Sequence, residues 1–151
     1  MEYIRSAEDQ TPGCIFCDLP ARGDDEEALI LTRSERSFVL LNRFPYNPGH
    51  LLIAPFRHTG DLESFGGDEA ADAHALLRRS VTALREEMEP HGFNVGMNLG
   101  RVAGAGIPDH LHWHVVPRWN GDGNFMPVIG QTKVMPELLA ETWAKLAPRF
   151  A

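Results

Sequence analysis

Short hydrophobic runs separated by turn-forming residues predict three strands in the first third of the chain. The runs are Leu29–Thr32, Ser37–Asn42 and His50–Pro55, and each is about as long as an ordinary strand. The segment Phe44–Gly49 joins the last two and is dense in proline, asparagine and glycine, so we expect a hairpin there. The polar, acidic stretch Ala21–Glu27 before the first run is typical of a loop.

Helical spacing of apolar residues predicts one long helix from Glu69 to Met88. Asp68 is the candidate N-cap, and Pro90 and Gly92 end the helix. Arginine and glutamate residues occupy the opposite, solvated side. The apolar stripe consists of Ala73, Leu76, Leu77, Ser80, Val81, Leu84 and Met88.

Two more strands and a final helix complete the predicted order of elements. Phe93–Asn98 is a strand, the glycine-rich loop Gly100–Gly106 follows, and His110–Pro117 is the next strand. A helix begins at Pro136, which suits a first turn, and runs to about Ala147. Antiparallel strands followed by helices favour an α+β fold with one antiparallel sheet.

The predicted strand His110–Pro117 contains three histidines, which are spaced two residues apart. Because successive strand residues face opposite sides, His110, His112 and His114 share one face, and Trp113 points into a core on the other. A single strand histidine is usually structural, but a row of imidazoles is costly to bury without partners. The pattern therefore predicts a functional site.

Length and charge limit the classes of function. The chain has 151 residues, which suggests a single domain at 14–151 after a loose N-terminal arm at 1–13. The net charge is -7 without a basic block, so a long nucleic acid is not an expected partner, although a local pocket can still bind a small anion. No apolar run is long enough to cross a membrane, and the polar start lacks a secretory signal. We therefore expect no membrane partner and a cytoplasmic location.

Three kinds of chemistry are open to the histidine strand. The imidazoles can bind a catalytic metal, one of them can act as a nucleophile, or the site can bind an anion without turnover. The loop just before the strand, with Gly104 and Gly106, presents backbone amides that can hold phosphate oxygens. A phosphate-binding loop next to the histidines favours chemistry at phosphorus, for which neutral imidazole is a suitable nucleophile.

The histidine strand also resembles a known family. His110-Leu-His-Trp-His-Val-Val116 is similar to the signature of the histidine-triad superfamily of nucleotidyl hydrolases and transferases. Leu41–His50 resembles the family's ribose-binding strand and turn, and Ile53–His58 resembles the segment after it. Asn42 stands where the phosphoramidase branch has aspartate, which points to the fragile-histidine-triad branch.

The resemblance extends beyond these motifs, over about residues 14–147. Arg118–Asp122, Asn124–Pro127 and Thr132–Val134 most resemble bacterial dinucleoside polyphosphate phosphorylases and hydrolases. The resemblance implies the histidine-triad fold and a homodimer whose sheet continues across the interface. The implied substrate is a small nucleotide, with a diadenosine polyphosphate favoured and phosphate or water as the acceptor.

Residue roles follow from the same resemblance. His112 is the expected nucleophile on the α-phosphorus, and His114 contacts a phosphate or the bridging oxygen. His110 is the first histidine of the catalytic triad. The remaining expected contacts are Asn42 to the ribose, Asn98 to the phosphate or leaving group, Phe16 at the base, and His50 as a partner behind the triad.

One departure from the family pattern affects the phosphate contacts. The fragile-histidine-triad branch has glutamine followed by serine or threonine before the triad, where this chain has Ala105-Gly106. Side-chain donors are lost there. We expect backbone amides of Gly104–Gly106 to replace them.

The pair Cys14 and Cys17 admits more than one interpretation. A disulfide is disfavoured in a cytoplasmic chain, and a redox pair would need a different strand–helix context. The cysteines can pack as small apolar residues. Together with His58 and His110 they also make a complete tetrahedral set for structural zinc, which several members of the superfamily place at matching positions.

Alternatives to the favoured function remain open from sequence. A nucleoside phosphoramidase or nucleotidyl-sulfate hydrolase uses the same type of nucleophile. A nucleotide-binding regulator with little turnover and a catalytic metal hydrolase are the options from other classes.

Overall fold

The strands form one antiparallel sheet of five strands, in the order β1-β2-β3-β5-β4. A computed structural model describes residues 13–123 and 137–151. The strands are β1 Ile30–Arg33, β2 Ser37–Leu41, β3 Leu51–Pro55, β4 Gly92–Gly96 and β5 Trp113–Arg118. The helices are α1 Ile15–Ala21, α2 Asp25–Ala28, α3 Gly67–Met88 and α4 Leu139–Leu146, with 3₁₀ turns at Arg101–Ala103 and Ala147–Phe150. The predicted α+β fold with one antiparallel sheet, one long helix and a C-terminal helix is confirmed.

The two central strands are buried on both faces of the sheet. Every residue of β2 and β3 is buried, and their side chains alternate between two clusters. The cluster on the α3 side takes Val39, Leu41, Leu51 and Ile53. The opposite cluster, which includes α1, takes Phe38, Leu40, Leu52 and Ala54. The period-two alternation of a strand therefore builds two cores from one run of apolar residues.

The long helix α3 covers one face of the sheet with the predicted stripe. Its buried residues include Ala73, Leu76, Ser80 and Leu84, and Met88 packs against the same cluster. The predicted N-cap was wrong, because the helix begins at Gly67 and Asp68 lies in its first turn. Gly67 has a φ of 57°, in the left-handed region that favours glycine, and the helix starts two residues earlier than predicted.

Two boundaries were predicted wrongly near the ends of the chain. The stretch predicted as a loop contains the short helix α2, because the Asp24 carboxylate accepts from the Glu27 amide at 3.0 Å and caps it. The last helix begins at Leu139, since Leu138 is extended with ψ of 143°. Pro136 lies outside the described residues, as do Asn124–Pro127, Thr132–Val134 and the arm at 1–12.

The histidine strand is shorter than predicted. β5 pairs with β3 as far as Trp113 and with β4 as far as His114, so His110 and His112 precede the ladder. Strand β4 likewise ends at Gly96 and not at Asn98. None of the helices in the two described ranges has the length and apolarity needed to span a membrane.

Candidate active site

The three histidines face the α1 side of the sheet although two of them lie outside β5. Leu111 and Val115 are buried in the α3-side cluster, so the alternation continues through the segment before the strand. The ring of Phe16, from α1, lies 5.3 Å from that of His110 and 4.8 Å from that of His112. The expected common face of the imidazoles is therefore present.

The segment before β5 is positioned by the chain that follows β3. The Leu111 amide donates to the Thr59 carbonyl at 2.7 Å. A Cβ on Gly60 would lie 2.5 Å from the Pro108 carbonyl oxygen, so only glycine permits this approach. The two segments are thereby aligned, and His58 comes beside His110.

His112 is held in one tautomer by the main chain. Its Nδ1 lies 2.8 Å from the His110 carbonyl oxygen, which can only accept, so Nδ1 carries the proton. Nε2 then keeps its lone pair. His112 is 6% exposed, and burial lowers its pKa, with the hydrogen bond to the carbonyl acting against that shift. The neutral, nucleophilic form is favoured.

A chain of hydrogen bonds fixes His114 in the opposite tautomer. The Tyr46 amide donates to His50 Nδ1 at 3.0 Å, so the His50 proton is on Nε2, which lies 2.9 Å from His114 Nδ1. His114 must therefore carry its proton on Nε2. That atom is buried and has no hydrogen-bond partner within the described ranges. Burial, and then the charge of His112, lower the pKa of His114.

The buried donor on His114 has a chemical consequence. A buried polar group without a partner is costly, and such groups occur where a ligand supplies the partner. Beside the lone pair of His112, the ring centroids being 5.1 Å apart, the N–H of His114 can donate to an oxygen bound to the same phosphorus.

Cys14, Cys17, His58 and His110 form one compact cluster. Their ligand atoms all lie within 4.8 Å of one another. His110 Nδ1 is 3.3 Å from Cys14 Sγ, 3.7 Å from Cys17 Sγ and 3.2 Å from His58 Nδ1. Tetrahedral zinc with ordinary Zn–S and Zn–N bonds separates its ligands by about 3.6 Å. The cluster thus has the donors and the spacing to bind a metal.

His110 connects this cluster to the nucleophile. Its Nε2 lies 2.8 Å from the Pro55 carbonyl oxygen, which places the proton there and leaves the Nδ1 lone pair facing the cysteines. Burial lowers the pKa of His110 to about 4. Its carbonyl is the acceptor for His112, so one residue serves both centres.

Two cavities flank the histidines. The Phe16 cavity, of about 270 Å³, is lined by α1, by strand residues and by Asn42, and its lining includes Phe16, Leu19, Leu40 and Leu52. The His114 cavity, of about 530 Å³, is lined by residues that include His114, Asn98, Tyr46 and Arg118. Arg118 is ion-paired with Asp122 at 2.7 Å. The predicted base residue Phe16 and the predicted leaving-group residue Asn98 therefore line different cavities.

The polar residues expected at the substrate, His50, Asn42 and Asn98, each have a different position and different hydrogen-bond partners. His50 is fully buried and lies behind His114. The Asn42 side chain accepts from the Phe44 amide at 3.0 Å and still lines the Phe16 cavity. Asn98 donates to the Gly104 carbonyl at 3.3 Å.

Two of the loop amides that were expected at the phosphates donate within the loop itself. The Gly104 amide donates to the Arg101 carbonyl at 3.0 Å, and the Ala105 amide to the Gly100 carbonyl at 3.2 Å. The 3₁₀ turn at Arg101–Ala103 causes this, since its closing hydrogen bonds use these donors. Gly106 keeps an amide without a partner in the described part of the chain, and neither Gly104 nor Gly106 lines the Phe16 or His114 cavity.

Sequence reasoning missed Tyr46 as part of the site. Its amide sets the His50 tautomer, and its ring stacks on His114 with centroids 5.8 Å apart and planes 8° apart. The signal was its position in the turn four residues before His50.

Comparison with known proteins agrees with this geometry. A family model described as the HIT domain matches residues 24–121. The AP-4-A phosphorylase of Mycobacterium tuberculosis is 43% identical over 141 residues, covering 93% of this chain and 72% of the relative. The Protein hit of Bacillus subtilis is 30% identical over 141 residues, covering 91% and 94%.

A solved structure is similar in fold as well. The crystal structure of a Zn-bound histidine triad family protein from Mycobacterium smegmatis superposes with a TM-score of 0.73 at 27% identity, covering 91% of this chain and 93% of that one. The family match spans more than half of this chain, and the identity with the curated relatives extends over nearly all of it. The chain therefore belongs to the HIT domain family.

Proposed function

We propose that this protein cleaves a dinucleoside polyphosphate, with a diadenosine polyphosphate as the favoured substrate, through a covalent nucleotidyl-His112 intermediate. The observation that carries the proposal is the pair of opposite tautomers, a lone pair on His112 Nε2 beside a buried N–H on His114 Nε2. The 43% identity with a protein named AP-4-A phosphorylase supports the substrate class.

In the first step His112 Nε2 attacks the α-phosphorus. The new N–P bond forms as the bond from that phosphorus to the bridging oxygen breaks, and the remaining nucleoside polyphosphate leaves with the electron pair. The Nδ1 proton of His112 stays on its bond to the His110 carbonyl, which stabilises the cationic imidazole. The His114 N–H donates to an oxygen of the phosphoryl group or to the bridging oxygen as charge develops there.

In the second step an acceptor oxygen attacks the same phosphorus and the P–N bond breaks. Its electron pair returns to Nε2, and His112 is neutral again. With inorganic phosphate as acceptor the product is a nucleoside diphosphate, and with water, which releases a proton to solvent, it is a monophosphate. No residue other than His112 needs to change its covalent state.

The surroundings suit a nucleotide on the α1 side. The Phe16 cavity is mainly apolar and takes the base, and Asn42 on its rim contacts the ribose. Asn98, which lines the His114 cavity, faces the leaving group.

We further propose structural zinc at Cys14, Cys17, His58 and His110. Four protein ligands fill a tetrahedral shell, so the ion supplies no open position for chemistry. Bound there, it would tie α1 to the segment that carries the triad and fix the His110 ring, whose carbonyl orients His112. A reducing cytoplasm, where thiols persist, suits this site.

A homodimer with a continuous sheet remains part of the proposal from the family resemblance.

The test is product analysis with diadenosine tetraphosphate in the presence and absence of inorganic phosphate. Adenosine diphosphate and triphosphate formed only with phosphate indicate a phosphorylase, and monophosphate and triphosphate indicate a hydrolase. Both support the intermediate if the intact mass of the quenched protein increases by one adenylyl group. We expect His112→Ala to lose at least about a thousandfold in turnover. The matched control is His74→Ala, since His74 is exposed on α3.

Other outcomes contradict the proposal in distinguishable ways. Tight nucleotide binding without turnover indicates a regulator. Turnover of adenosine phosphoramidate alone indicates a phosphoramidase. Activity lost on metal removal from a protein that stays folded indicates a metal hydrolase.

A further inference from the structure

The wall of the Phe16 cavity that α1 forms carries two charged side chains. Ile15, Asp18, Leu19 and Arg22 all line the cavity. Their spacing of three, four and seven residues places them along one face of a helix. Asp18 is half-buried, whereas Arg22 is exposed at the end of the helix.

Neither charge is paired within residues 13–123 and 137–151. An aspartate and an arginine four residues apart on a helix commonly pair. In the described parts of the chain, however, neither the Asp18 carboxylate nor the Arg22 guanidinium has a hydrogen bond or an ion pair. Because Asp18 is half-buried in a cavity wall that also contains Phe16 and Leu19, a hydrogen bond from a ligand to its carboxylate competes with less water than in bulk solvent.

We infer that Asp18 and Arg22 select the base, and that they select adenine. The inference rests on the proposed function only in placing a nucleotide in this cavity. The carboxylate accepts from the exocyclic amino group of adenine, and the guanidinium donates to a neighbouring ring nitrogen. An acceptor nitrogen flanks that amino group on either side, so a donor from the next turn of the same helix has a partner beside the amino group.

Asp18 and Arg22 should also weaken the binding of bases other than adenine. An ionised carboxylate accepts only, so an oxo group at the position of the amino group repels it. A purine that lacks the amino group leaves the carboxylate unpaired in a partly apolar wall. Asp18 therefore reads the amino group, while Arg22 reads a ring nitrogen that all purines share.

Calorimetric titration of mononucleotides tests this without turnover. The probes are adenosine monophosphate, the monophosphate of purine riboside, which lacks only the amino group, and guanosine monophosphate. We expect the native protein to bind adenosine monophosphate about tenfold more tightly than the deaminated analogue. Asp18→Ala should bring this ratio close to one, and Asp18→Asn, which keeps an acceptor, should give an intermediate ratio. Arg22→Ala should weaken both ligands alike.

Ratios measured on one variant are insensitive to a loss of folded protein, because both ligands report on the same sample. Asp68→Asn, whose side chain is 91% exposed, controls for the removed charge and should leave the ratio unchanged. A native ratio near one, an unchanged ratio in Asp18→Ala, or tighter binding of guanosine monophosphate overturns the inference, and the proposed function stands if diadenosine tetraphosphate is still cleaved. Absence of binding by every mononucleotide also overturns the inference, and absence of diadenosine tetraphosphate cleavage overturns the proposed function.

Discussion

The buried histidine behind the triad offers a direct test of the tautomer assignment. His50 is fully buried, accepts from the Tyr46 amide and donates to His114. Replacing it with alanine removes these two hydrogen bonds, the contact of His50 Nδ1 with the Asn42 side-chain amide nitrogen at 3.4 Å, and the ring itself. Replacing it with glutamine keeps a side-chain donor of similar reach. The two variants therefore separate loss of the donor from loss of the residue.

The structure gives the size of the stability effect. Two hydrogen bonds between neutral groups contribute about 1 kcal/mol each, and the cavity left by the ring costs about 1 kcal/mol more. His50→Ala should thus lower the free energy of unfolding by about 3 kcal/mol. For a domain of this size that corresponds to a melting temperature lower by about 6–12 °C. His50→Gln should lose roughly half as much.

The effect on activity has a different cause. Without the donor, His114 Nδ1 has no fixed partner, and the ring can turn its Nε2 proton away from the phosphoryl group. A misplacement of about 1 Å at a reacting centre can cost about a hundredfold in rate. We expect kcat/KM for diadenosine tetraphosphate to decrease by about 10- to 100-fold in His50→Ala and by less in His50→Gln.

Urea unfolding and steady-state kinetics at a temperature where each variant is folded measure the two effects. His74→Ala, an exposed histidine on α3, is the matched control and should change neither. If His50→Ala unfolds within about 0.5 kcal/mol of the native protein, the hydrogen-bond chain does not form. If its kcat/KM per folded molecule equals the native value, the assignment of the His114 proton is wrong.

Two further predictions concern protons and metal. Burial lowers the pKa of His112 and of His114, so the acid limb of kcat/KM should lie below pH 6.5, and a limb at or above 6.5 would contradict the neutral nucleophile. Between pH 6.5 and the lowered pKa values of the folded protein, the unfolded chain binds more protons than the folded one. The contribution of these histidines to the free energy of unfolding should therefore be complete above pH 6.5 and decrease on acidification. Atomic emission should find one zinc ion per chain. Its removal by a chelator, or the substitution Cys17→Ser, should lower the melting temperature, while the protein that stays folded still forms the adenylyl adduct. An undiminished melting temperature after removal would exclude a structural ion.

The sheet and the long helix could be predicted because they are encoded by repeated local patterns. Alternation in β2 and β3 places neighbouring residues in opposite cores, and the stripe on α3 follows the helical period. The errors are the short helices α1 and α2, which the sequence patterns did not predict, and the ends of longer elements. α2 depends on a single cap by Asp24, and the start of α3 depends on a positive φ at Gly67, and neither leaves a periodic signal.

The residue types of the site could be predicted, but their protonation states could not. Resemblance and ligand chemistry brought Cys14, Cys17, His58 and His110 together, and the structure places their ligand atoms within 4.8 Å. The proton on His114 depends on a backbone amide, that of Tyr46, acting through His50. Backbone donors have no sequence signature, so this relay emerges only when the turn between β2 and β3 is built.

The strand β5 begins three residues later than predicted, and the role of the His110 carbonyl gives a chemical reason for this. In a regular antiparallel ladder each carbonyl bonds to a neighbouring strand, and the His110 carbonyl would then have its partner there. Because β5 begins at Trp113, that carbonyl lies outside the ladder and accepts from His112 Nδ1. The irregular backbone ahead of the strand is therefore a condition for the nucleophile, since without this acceptor His112 could adopt the tautomer that protonates Nε2 and removes the attacking lone pair.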